Sequence, residues 1–117
     1  MPAFSWKSYI QKQRSYYREF TPVYNSHLNR YIHFNSSGFK HIVYKRGRSA
    51  IDIRQRLALL QYAVDAVKMP PVEARLEDIT LYYVFVYEIE ENLIIKVVVK
   101  KIGDRGNLNF LTIYRVK

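Results

Sequence analysis

His41 and Lys45 stand four residues apart in a segment, Phe39 to Lys45, that suits a two-turn helix with Phe39, Ile42 and Val43 turned inward. At that spacing the imidazole and the ammonium share a face away from the apolar side chains. An imidazole held near a cation, and near the phosphates a cation attracts, is suited to proton transfer at neutral pH. The competing reading of His41 is a half-buried histidine satisfied by a backbone carbonyl. Arg46, Arg48, Arg54 and Arg56 follow closely. Guanidinium forks bind phosphate in a bidentate way, and a helix N-terminus adds positive potential beside them. The same groups would stabilise the extra charge of a pentacovalent phosphorane, although most helical arginines simply face solvent.

The carboxy-terminal part offers fewer candidates. In the run Leu93 to Ile102, alternation puts Leu93, Ile95, Val97 and Val99 on one face and Ile94, Lys96, Val98 and Lys100 on the other. Lys96 is out of character in so apolar a strand, so either that face is wet or Lys96 points into a site. In Leu108 to Val116 the same alternation puts Leu108, Phe110, Thr112 and Tyr114 together. The hydroxyls of Thr112 and Tyr114 would then lie where a phosphate could reach them, though both residue types also favour strands for packing alone. His33 is expected on a short strand, as a surface or structural residue or as a second acid–base partner. His27 falls in a polar loop. Three irregularly spaced histidines without a carboxylate cluster make a poor metal site, and no metal or cofactor is expected.

The elements that must position these residues are legible in outline. Trp6, Tyr9, Ile10, Tyr17 and Phe20 predict a helix over about residues 5–19, closed by Pro22. Residues 21–30 read as a loop, Tyr31–Phe34 as a short strand, and Asn35–Gly38 as a turn into the Phe39–Lys45 helix. Ser49 and Asp52 make the S-x-x-D form of a capping box. Ile53, Leu57, Leu60, Val64 and Val67 follow as one stripe until Met69-Pro70-Pro71. Leu81–Ile89 and Leu93–Ile102 predict a hairpin across Glu90-Glu91-Asn92, and the turn Gly103–Asn107 leads to a third strand. The expected architecture is α+β, with N-terminal helices packed on a C-terminal antiparallel meander of three to four strands. It divides as residues 1–30 (helix and loop), 31–68 (strand and basic helices) and 79–117 (sheet) of one domain, 1–117.

Charge narrows the class of partner. Twelve Lys and Arg oppose three Asp and Glu within residues 1–68, whereas seven meet seven from Met69 onward, so the whole net charge of +9 lies in the first part. That division suits a protein that holds a polyanion against one face. Tyr16, Tyr17, Tyr24, Tyr31, Tyr44 and Tyr62 lie in the same part, and such rings stack on bases. The expected partner is RNA, with His33, Lys40, Arg46, Arg48, Arg56 and Tyr114 as candidate contacts. With no cysteine, a disulfide framework, zinc–thiolate site or thiol chemistry is excluded. The absence of an apolar run long enough for a leader or membrane span makes a soluble, cytoplasmic protein the expectation, with no membrane partner.

The run Tyr31-Ile32-His33-Phe34-Asn35-Ser36-Ser37-Gly38-Phe39-Lys40-His41-Ile42, then a basic capped helix, then strands ending Phe110-Leu111-Thr112-Ile113-Tyr114, resembles the barnase–EndoU–colicin–RelE superfamily of small ribonucleases. Its phage- and mobile-element-associated branch is the nearest in pattern, over residues 31–117. The resemblance implies a metal-independent endoribonuclease, often a toxin acting on tRNA, mRNA or rRNA and restrained by an antitoxin or immunity protein. His41 would match the family's histidine and Thr112 its final-strand hydroxyl. Lys45, Arg54 and Lys96 would bind phosphate or stabilise charge by analogy of type. A glutamate base of the barnase kind has no counterpart, which leaves the general base open. Two other readings stand beside this one: a non-catalytic RNA- or DNA-binding module, and an interaction domain for an acidic protein.

Overall fold

The computed structural model describes residues 4–104 and 106–117; Met1–Ala3, and Arg105 within the expected Gly103–Asn107 turn, lie outside the described residues. The chain runs α1 (Trp6–Arg18), β1 (Val23–Asn25), β2 (Arg30–His33), α2 (Ser36–Tyr44) and α3 (Ala50–Leu59). A 3₁₀ turn at Leu60–Tyr62 leads to α4 (Ala63–Ala66), then β3 (Glu73–Glu77), β4 (Thr80–Glu90), β5 (Leu93–Ile102) and β6 (Leu108–Arg115).

Side-chain caps start the three long helices. Ser5 Oγ accepts from Ser8 N at 3.2 Å and Ser49 Oγ from Asp52 N at 3.1 Å, each supplying an acceptor to an otherwise orphaned amide. Asn35 caps α2, so this helix begins three residues before the expected Phe39 and takes in Gly38. The long helix expected from Ser49 to Val67 is broken into α3, the 3₁₀ turn and α4. Its stripe is nevertheless buried at Ile53, Leu57, Leu60 and Val67, with Val64 packed at the margin. These side chains meet Phe85, Ile95, Val97, Val99, Phe110 and Ile113 from one face of the sheet, which forms the core.

The sheet corrects the expected meander. It has six strands in the order β1-β2-β6-β5-β4-β3, and β2 runs parallel to β6. The antiparallel β4-β5-β6 core lies where expected, but β1 and β3 are additional. β1 is three residues inside a polar stretch, and β3 (EARLE) is exposed along its whole length, so neither carries the alternation that marks a half-buried strand. The parallel pairing joins Ile32 to Leu108 and His33 to Asn109, far apart in sequence, and no local pattern encodes it.

Asn25, fully buried in β1, ties this edge to the helical layer. Its Nδ2 donates to Val67 O (2.7 Å) and Met69 O (2.9 Å), while its Oδ1 accepts from His27 N (2.9 Å) and Leu28 N (3.0 Å). Asn25→Ala would strand these four backbone groups, so a loss of about 3 kcal/mol is expected in a urea titration; a variant as stable as the parent would show that these bonds carry nothing.

Candidate active site

Two backbone features aim α2 and α3 at β6. The first is Gly38, where an added Cβ would sit 2.5 Å from Phe110 O and 2.8 Å from Tyr17 Oη. Only glycine lets α2 come this close to β6. Tyr17 Oη also donates to Asn35 O at 2.7 Å, which holds the start of α2 against α1. The second is Gly47, whose φ of +82° is cheap for glycine alone and turns the chain after Lys45 so that Arg48 folds back toward α2.

Four residues then form a connected chain. Asp52 and Arg56 share one side of α3, and Arg48 lies four residues before Asp52, just ahead of the cap Ser49. Arg48 Nε lies 3.6 Å from Asp52 Oδ2, and Arg56 Nε donates to Asp52 Oδ1 at 3.0 Å. Arg56 Nη1 donates to Thr112 Oγ1 at 2.9 Å, and its guanidinium lies 5.3 Å from the centre of the Tyr114 ring. Asp52 therefore does not reach back to Ser49 as a capping box would have it. Its carboxylate orients two arginines.

A register shift brings Thr112 here. β5 and β6 slip between Val98 and Val99, so Val99 faces Phe110 but Val98 faces Thr112, leaving Leu111 as the extra residue. Uninterrupted alternation puts Thr112 and Tyr114 on the face of Leu108 and Phe110. The bulge instead sends Phe110 to the core and turns Thr112 and Tyr114 to the register face of Val98 and Lys96. Thr112 is buried there.

His41 approaches this chain from α2. Burial lowers its pKa from the usual histidine value, and the charges of Lys45, Arg48, Lys100 and Arg56 lower it further. Both causes favour the uncharged ring at neutral pH. Among the described residues its Nδ1 is buried without a hydrogen-bond partner, so no backbone carbonyl satisfies that nitrogen. Arg48 Nη1 is likewise buried and unpartnered, on a side chain only 5% exposed. Burial and the Arg56 charge lower the Arg48 pKa, with Asp52 opposing. Each such orphan costs on the order of 1–3 kcal/mol, and clustered cations add repulsion. A phosphate held at this cluster would offset the repulsion among its cations.

The structure brings together His41, Lys45, Arg48, Arg56, Thr112 and Tyr114. It does not bring Arg54 to them. Two residues from Arg56 means about 200° of helix rotation, and Arg54 lies instead over the rings of Phe4 (4.7 Å) and Tyr9 (5.5 Å) beside α1. Lys96 is paired with Tyr114 at the far end of the cluster, four residues or roughly 13 Å from Lys100, the sheet lysine whose charge reaches His41. His33 lies at the β2–β6 junction in a shallow cleft with Arg30, Tyr31 and Asn107, and Lys40 faces a recess beside α1. Arg46 is exposed in the loop before α3. Sequence reasoning missed Asp52 and Lys100 as site residues. The four-residue spacing of Arg48, Asp52 and Arg56 was the available signal for Asp52, whereas Lys100 had none beyond sharing a face with Lys96.

Among the described residues no group of His, Cys, Asp and Glu has the arrangement to hold a metal ion, and no helix is long and apolar enough to cross a membrane. No protein-family model, curated protein or solved structure matches the chain.

Proposed function

We propose that this protein is a metal-independent endoribonuclease that cleaves RNA by internal attack of a ribose 2′-hydroxyl. The observation that carries the reading is a pair of buried nitrogens without partners among the described residues, His41 Nδ1 and Arg48 Nη1, within a cluster of cations. A neutral imidazole is a competent base at physiological pH. His41 takes the proton of the 2′-hydroxyl, and the oxygen attacks the adjacent phosphorus. Arg48 and Arg56 then face the charge that builds on the phosphorane, with Arg56 held in place by Asp52 and Thr112. The bond to the 5′-oxygen breaks, that oxygen takes a proton from water, and the imidazolium returns its own to solvent. The products are a 2′,3′-cyclic phosphate and a 5′-hydroxyl. The biological setting that fits is a toxin acting on tRNA, mRNA or rRNA, restrained by an acidic antitoxin or immunity protein that covers the basic surface.

The test is incubation of the purified protein with total tRNA and rRNA in EDTA. Discrete fragments ending in cyclic phosphate are expected, and a single 2′-deoxy substitution at a mapped cleavage position should abolish cutting there, because it removes the nucleophile. Intact RNA that is nonetheless shifted on a gel would overturn the catalytic reading in favour of a binding module. The exposed Tyr16, Tyr24, Tyr31 and Tyr44 of the basic part would serve that second reading.

A further inference from the structure

Beside His41 around α2 lies a recess of about 460 Å³, walled by Arg14, Arg18, Phe34, Phe39, Lys40 and Tyr44. Its volume falls within the range of small-ligand sites. It combines three cations with aromatic rings, and no carboxylate lines it. None of the three cations is ion-paired among the described residues. Arg14 is held in place, with Nη2 donating to Tyr44 Oη at 2.9 Å and its guanidinium 5.4 Å from the centre of the Phe39 ring. Arg18 and Lys40 are exposed, and the Tyr44 ring is 63% exposed. A ligand that uses every part of this recess carries both a flat ring and a phosphate. An acidic peptide would use the cations and leave the rings idle.

We propose that this recess holds one nucleotide of a single-stranded nucleic acid, the base against Tyr44 and Phe34 and the phosphate between Arg18 and Lys40. The recess and the His41 cluster are neighbours around α2: Tyr44 stands about 60° and Lys40 about 100° from His41 on the helix. A strand drawn over α2 therefore occupies both, and in this the proposal rests on the reading of the His41 cluster as a phosphate site. Bases in the recess select which phosphate reaches His41.

The experiment reads binding alone, so that its outcome is separate from that of cleavage. The probe is a short fluorescein-labelled single-stranded oligodeoxynucleotide, which lacks the 2′-hydroxyl, with an abasic probe of equal length beside it. Anisotropy titrations should show Tyr44→Ala binding the normal probe about tenfold more weakly than the parent. The abasic probe should bind both proteins with that same reduced affinity. The double variant Arg18→Gln with Lys40→Gln should lower the slope of log affinity against log salt by about 0.7, the share of the one phosphate they hold. Lys12→Gln with Lys68→Gln, away from the recess, should lower it less. The proposal fails if the parent does not bind the probe, or if Tyr44→Ala discriminates normal from abasic probe as the parent does. Every altered side chain is exposed, so melting temperatures close to the parent's are expected and serve as the folding control.

Discussion

His41→Ala is expected to slow RNA cleavage by about 10²- to 10⁴-fold while leaving RNA affinity unchanged. The imidazole is the group in the cluster suited to proton transfer, whereas Arg48, Arg56, Lys45 and Lys100 remain to hold phosphate. Single-turnover rates and a binding titration on the same variant separate the two effects. Equal losses of affinity and rate would make His41 a binding group and remove the general base from the mechanism. The pH profile is a second readout. The active form carries a neutral ring, so the rate rises with pH through the His41 pKa, and burial and the neighbouring cations put that limb below about 6.5. Lys100→Gln removes one of those cations and should move the limb upward. The same shift acts on stability. Between the lowered folded pKa and the unfolded value the unfolded chain binds more protons, so stability is complete above about pH 6.5 and declines as pH falls through the folded pKa. His41→Ala should flatten that decline.

Gly38→Ala should destabilise the fold by about 3 kcal/mol and also reduce cleavage, although Gly38 carries no chemistry. In an unobstructed helix the same change stabilises by up to about 1 kcal/mol, so the sign itself is diagnostic. Here the new methyl would lie 2.5 Å from Phe110 O, which belongs to the sheet backbone, and 2.8 Å from the Tyr17 hydroxyl, which is buried and bonded to Asn35 O. Neither neighbour can yield cheaply, so α2 must move off β6 and carry His41 away from Arg48 and Thr112. Urea titration and a cleavage assay at equal folded fraction check the two effects independently. A variant at least as stable as the parent would show that α2 does not approach β6 this closely.

Much of the local framework is legible along the chain. Ser49 caps α3, Asn35 lies at the start of α2, and the apolar stripe of Ile53, Leu57, Leu60 and Val67 is buried as its period requires. The β4–β5 hairpin and the position of β6 follow from unbroken apolar runs and the turn residues between them. β1 and β3 escaped because a three-residue strand and a wholly exposed one bear no periodic signal. Helix angle separates Arg54 from Arg56, but which of the two faces the sheet depends on how α3 rolls against β6.

By itself the sequence determined an α+β chain with its net positive charge in the first 68 residues and a histidine followed by clustered arginines. Those are matters of composition and of spacing within a few residues, which the backbone period converts directly into shared faces. Folding is what ends the chain Arg48–Asp52–Arg56 on Thr112, sets the charge of Lys100 rather than Lys96 against His41, and leaves Arg48 Nη1 and His41 Nδ1 without partners among the described residues. For Thr112 the reason is one inserted residue. The slip at Leu111 turns Thr112 from the face of Phe110 to that of Val98, and a period-two pattern cannot announce a bulge that is set by pairing with another strand.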